Sequence, residues 1–139
     1  MIVAPEKFGN HRLVNGRVLV DSDILIEVFR SRNPDILSRW GSLSESLTEV
    51  LYSPVSEAEV WAGAIPGEFE RTETLFQNMT CVPIDGQTGR QAGAYLRSYA
   101  KSHGLQIADA LIAAGAYLNS AALWTRNRKH FPMKEIQFY

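Results

Sequence analysis

A single cysteine, Cys81, is all the thiol that this chain of 139 residues possesses. One thiol excludes an intramolecular disulfide framework and points to an intracellular home. Within "TCVPI" it reads as a small buried hydrophobe rather than a nucleophile. Long apolar runs are also lacking. None approaches the roughly 20 residues of a membrane span, so no membrane association is expected. The opening "MIVAPEKFGNHRLVNGR" has no hydrophobic stretch of the secretory kind, and a cytoplasmic location follows as the expectation. Neither sign of charge is in excess: 14 Lys and Arg against 15 Asp and Glu give a net charge of −1. The molecule as a whole therefore does not attract polyanions, and any such binding falls to a local patch.

What is present suits an ordinary globular domain, with 45% hydrophobic and 21% charged residues. The length fits one domain with a proper core. Residues 1–17 are polar and turn-rich and read as an N-terminal extension, leaving 18–139 as the domain. The run Val18–Val20 suits a strand buried on both faces. Asp23 is placed to cap a short helix that runs to about Arg30. "RNPD" opens a second helix, from Pro34 through Trp40 and on toward Ser46. "EVLYSPV" reads as a second strand, and Ser56 opens the helix "SEAEVWAGA". Phe69, Thr72, Leu75, Phe76 and Met79 recur at helical spacing. "CVPI" is a third strand. Asp85 and Thr88 introduce a long helix that ends at Gly104, and "IADALIAAGAYL" is a further helix, rich in small residues. "AALWT" and "EIQFY" read as the last two strands, with the basic loop "RNRKHF" between them. Strands that alternate with helices predict a parallel, helix-flanked α/β sheet.

In such a sheet, ligands bind beyond the carboxyl ends of the strands. Asp21 follows the first strand, Glu59 lies early in the helix after the second, and Asp109 lies early in the "IADALIAAGAYL" helix. Asn127 follows the "ALWT" strand. These positions can converge. Two carboxylates about 4 Å apart repel by about 4 kcal/mol at an effective dielectric of 20, so a cluster of three needs protons or a cation. Oxygen donors without matching His or Cys favour Mg²⁺ or Mn²⁺. Each acid has a plainer reading. Asp21 can accept N–H bonds at a strand end, Asp23 can cap, and Asp109 can sit favourably near a helix N-terminus. Ser56 and Glu59 match an S-x-x-E capping box, which on local grounds competes with any role for Glu59 in a site.

A strand ending in D-x-D also opens the haloacid-dehalogenase phosphatases. That pattern needs an acidic pair on a late strand, and none follows Thr125; Ile24 stands where Gly is common. Four pieces taken together, "VLVDSDILIEVF", "SPVSEAEVWAGA", "IADALIAAGA" and "LWTRNRKHF", resemble the PIN-domain ribonucleases, and within them the VapC-type toxins of toxin–antitoxin pairs. The resemblance spans Val18 to Phe138. It implies a three-layer α/β/α sandwich around a mostly parallel sheet and a Mg²⁺- or Mn²⁺-dependent endoribonuclease. Asp21, Glu59 and Asp109 become the catalytic, metal-holding carboxylates, which decides the Glu59 question in favour of the site. Ser22 matches a small hydroxyl that steadies a metal-bound water. Asn127 stands where many members have Asp, and His130 where many toxins have a further Asp, so both are supporting positions with less negative charge. Arg126, Arg128 and Lys129 are the expected RNA contacts. The implied partners are an RNA substrate (transfer or ribosomal), a cognate VapB-like antitoxin protein, and a second copy of the chain. The same resemblance leaves two other roles open: a PIN nuclease of RNA processing that is no toxin, and a PIN-like binding module weakened in catalysis.

Overall fold

The computed structural model describes residues 16–139. The extension assigned to residues 1–17 lies outside them but for its last two residues, and β1 opens at Arg17. In chain order the elements are β1 (Arg17–Val20), α1 (Ser22–Arg30), α2 (Pro34–Ser44), β2 (Glu49–Tyr52), α3 (Pro54–Ala62), α4 (Phe69–Gln77), β3 (Thr80–Cys81), α5 (Gly86–His103), α6 (Ile107–Leu118) and β4 (Ala122–Trp124). Short 3₁₀ turns cover Pro66–Glu68 and Arg128–His130. The four strands form one parallel sheet in the order β3-β2-β1-β4.

β1 shows why the domain has three layers. Its side chains alternate across the sheet with the period of two that any strand imposes. Val18 and Val20 enter a cluster with Ile24, Leu25, Ile36, Val60 and Phe76, the face covered by α1 to α4. Leu19 enters the other cluster, with Ala110, Ile112, Ala113 and Ala114 of α6 and Ala92 and Tyr95 of α5. Leu51 and Tyr52 of β2, and Leu123 and Trp124 of β4, divide between the two cores in the same way. The small residues of α6 let that helix lie close to the sheet: a Cβ on Gly115 would sit 3.5 Å from both Leu19 Cδ1 and Val82 Cγ2.

The sheet grows from β1 through β2 to β3 on one side, and the chain then returns to place β4 on the other side of β1. That reversal puts a topological switch point between the ends of β1 and β4, the place where open α/β sheets present a crevice.

Several expectations shift in detail. α2 runs unbroken to Ser44. The second strand stops at Tyr52, because Pro54 starts α3 in the first turn that tolerates proline and Ser53 caps it by accepting from Val55 N–H at 3.1 Å. Cys81 sits on the short edge strand β3 and is exposed, not buried. "EIQFY" forms no strand; its β pairing with the sheet is one bridge, Leu123 to Phe138, and the Tyr139 ring meets Trp124 edge-on at 5.2 Å. Asp21, not Asp23, caps α1. Among the described residues, no helix is long and apolar enough to cross a membrane.

Candidate metal centre

Asp21 ends β1, and its backbone N–H continues the sheet by donating to the Trp124 carbonyl at 2.9 Å. Its carboxylate is fixed at both oxygens. Oδ1 accepts from Ser22 N–H and Oδ2 from the Thr125 hydroxyl, each at 2.8 Å. Only 6% of the residue is exposed. Burial, and then the charge of Asp23, push the carboxyl up to about 6, against the pull of the two hydrogen bonds; Asp109 adds a smaller push.

Asp23 lies in the first turn of α1. Its Oδ2 accepts from Arg126 N–H at 3.0 Å and from the Asn127 amide at 2.9 Å. Its Oδ1 is buried without a partner. The Ile24 N–H and the Thr125 hydroxyl, both of which bear on this carboxylate, donate to Asp21 instead. Burial raises Asp23 above the usual carboxylate range.

Glu59 reaches the same place from α3. Because that helix starts at Pro54, Ser56 lies inside it, fully buried, and its hydroxyl has no hydrogen-bond partner. Ser56 and Glu59 therefore form no capping box. Glu59 instead accepts from the Ser22 hydroxyl at 2.6 Å. Asp109, in the first turn of α6, is raised by burial and by the charges of Glu59 and Asp23, while His130 pulls the other way. His130 Nδ1 stands 3.6 Å from Asp109 Oδ2. Ser22 thus holds a carboxylate, and His130 stands against one.

The three acids expected from the sequence lie in one neighbourhood with Asp23, near enough for charge to act between Asp21 and Asp109 and between Asp109 and Glu59. Mutual charge effects and an orphaned buried oxygen mark a cluster short of positive charge, and all the donors are hard oxygens. In that chemistry the residues fit Mg²⁺ or Mn²⁺. Among the described residues, no three acidic, His or Cys side chains are grouped so as to hold a metal ion.

The basic loop divides in its uses. The Arg126 backbone is tied to Asp23, and its guanidinium lies 3.2 Å from Glu27 Oε2, which Arg32 also meets at 2.9 Å. Glu27, 9% exposed, is held below the usual carboxylate range chiefly by Arg32. Arg128 is turned to the C-terminal segment: it donates to the Tyr139 carbonyl at 3.3 Å and lies 5.0 Å from the Phe138 ring centre. Lys129 is exposed. Sequence reasoning missed the parts played by Asp23, Thr125 and Glu27. The signal for the first was the D-x-D spacing itself, and for the third the four-residue step from Asp23 to Glu27 along one helix face.

Comparison with known proteins agrees with this fold. The family model for the PIN domain matches residues 18–136. Ribonuclease VapC10 of Mycobacterium tuberculosis is 33% identical over 120 residues, covering 85% of this chain and 88% of that protein. Ribonuclease VapC19 of the same organism is 30% identical over 116 residues, covering 83% and 92%. The fold is similar to that in the structure of VapBC-1 from nontypeable Haemophilus influenzae, with a TM-score of 0.72 at 21% identity over 88% of this chain and 96% of that one.

Proposed function

The chain belongs to the PIN-domain family, and from that premise we propose that it is a metal-dependent endoribonuclease and the toxin of a toxin–antitoxin pair. The observation that carries the proposal is the mutual charge effect within the acidic neighbourhood of Asp21, Glu59 and Asp109 beside the β1–β4 switch point. These three hold one Mg²⁺ or Mn²⁺, directly or through waters. A divalent ion bound there supplies a Lewis acid that lowers the pKa of a water and stabilises charge developing on the phosphate. The protein's own part is positional. Thr125 and Ser22 N–H fix the Asp21 carboxylate, and the Ser22 hydroxyl fixes Glu59. A carboxylate of the cluster takes the proton from the attacking water, and cleavage leaves a 5′-phosphate.

The substrate is a structured RNA, transfer or ribosomal, read at a loop with unstacked bases. Arg126, Arg32 and Lys129 supply positive charge beside the acids. Arg128 contributes less, since the C-terminal segment engages it. The relatives named as ribonucleases, and the likeness to a VapBC fold, support the toxin role and a small antitoxin partner. A cavity of about 910 Å³ that mixes apolar lining (Phe29, Trp40, Met79) with charged lining (Glu49, Glu70, Arg71) suits an amphipathic segment of such a partner. A homodimer belongs to the same proposal.

Purified free of any partner, the chain is expected to cleave RNA with Mg²⁺ or Mn²⁺. EDTA, or Asp109→Asn, should lower the rate by about a hundredfold or more. Activity that survives both treatments removes the metal-site reading. Growth arrest on induced expression, relieved by a small protein encoded beside this one, tests the toxin role.

A further inference from the structure

The geometry points to Asp23 as a fourth carboxylate of the metal centre, with Asn127 as the positioning residue that aims it. The inference rests on the metal-dependent reading above. Three observations carry it. A continuous chain of hydrogen bonds runs across the switch point: Thr125 donates to Asp21, Asn127 N–H donates to the Thr125 hydroxyl at 3.0 Å, and the Asn127 amide donates to Asp23. Asp23 is thus tied to Asp21 through two residues of the segment that follows β4. Next, its two oxygens differ. Oδ2 has two donors, whereas Oδ1 is buried with none. A buried carboxylate oxygen without a partner is costly, and a role limited to anchoring the 126–127 segment needs only Oδ2. Finally, Asn127 brings an uncharged amide, so the pair contributes one negative charge, and that charge sits on α1.

Asp23 and Asn127 form a unit whose charge is exchangeable. With Asn at 23 and Asp at 127, the amide at 23 must turn to use both of its atoms, its nitrogen donating to the new carboxylate at 127 and its oxygen accepting from Arg126 N–H, two bonds that Oδ2 alone makes in the parent. The hydrogen bonds are conserved with one direction reversed, and the charge has moved from the helix to the loop. In Asp23→Asn alone, the amide oxygen takes the place of Oδ2 and accepts from both Arg126 N–H and the Asn127 amide, so the fold is kept and the charge is lost.

The experiment is calorimetric titration of MnCl₂ into the purified full-length chain, with melting followed by circular dichroism in EDTA as the check on folding. Asp23→Asn should melt within a few degrees of the parent and bind Mn²⁺ at least about tenfold more weakly. The double variant Asp23→Asn/Asn127→Asp should recover affinity to within about threefold of the parent. Folded Asp23→Asn that binds Mn²⁺ as the parent does overturns the assignment of Asp23. A folded double variant that binds no better than Asp23→Asn overturns the exchangeable unit. If Asp23→Asn fails to fold, the double variant decides alone: folded, with affinity near the parent's, it supports the unit; otherwise the unit is rejected. A parent chain that binds no Mn²⁺ overturns the metal-dependent reading itself, a result distinct from all of these.

Discussion

Replacing Asp21 by Asn separates what this carboxylate does for the fold from what it does for the site. In the folded protein the group titrates near 6, against an ordinary 3.8. At about 1.4 kcal/mol per pH unit, ionising it in place costs about 3 kcal/mol. The sign follows from proton counting. Between pH 4 and 6 the folded chain holds a proton here that the unfolded chain has released. Stability from this group is therefore full below about pH 4 and is lost as pH rises through 6. Asparagine carries no charge and escapes that loss. Its oxygen can still accept from Ser22 N–H, while its amide faces the Thr125 hydroxyl, whose proton must turn away; this offsets about 1 kcal/mol of the gain. Asp21→Asn should thus be more stable than the parent at pH 7.5 in EDTA, by about 2 kcal/mol. The advantage should grow by about 1.4 kcal/mol between pH 5 and 7.5. Urea unfolding monitored by tryptophan fluorescence at the two pH values measures both quantities. A variant less stable than the parent at pH 7.5, or a difference that does not change with pH, refutes the reasoning. The same variant should not cleave RNA, which makes it a case of stability given up for function.

Three further outcomes can be checked. Leu19→Ala removes a fully buried side chain from beneath α5 and α6 and should cost about 3–5 kcal/mol in urea unfolding. Gly93→Ala, inside α5 where an added Cβ meets nothing within 4 Å, should gain about 0.5–1 kcal/mol from helix propensity, visible as a higher melting temperature. Ser22→Ala removes the hydroxyl that steadies Glu59 and should lower the cleavage rate by about tenfold, with stability moved by less than about 1 kcal/mol.

Much of the fold was legible because local chemistry and tertiary context agree. Val18–Val20 is aliphatic enough to be buried on both faces, Asp85 caps α5, and Gly104 ends it in the left-handed region at φ 65°. Legibility failed where a local pattern had two uses. Pro54 reads as the end of a strand or the start of a helix, and only the Ser53 cap decides it. With α3 moved two residues earlier, the S-x-x-E match lost its meaning and Glu59 was free to meet Ser22. Asp23 and Asp21 are both able to cap α1, and the choice rests on where β1 ends. The partners of Asp23, at 126 and 127, are over 100 positions away in sequence, beyond the reach of any local rule. "EIQFY" has the residues of a strand but pairs with β4 through a single bridge.

The stitching of α1 to the segment after β4 also bears on when the protein acquires its chemistry. Asp21 and Asp23 are made early, whereas Asp109, Thr125 and Asn127 come more than 80 residues later. Closing so long a loop carries an entropy cost that slows folding. A chain of which only the first half has been made therefore holds Asp21, Asp23 and Glu59 without the residues that face them, Asp109, Thr125 and Asn127.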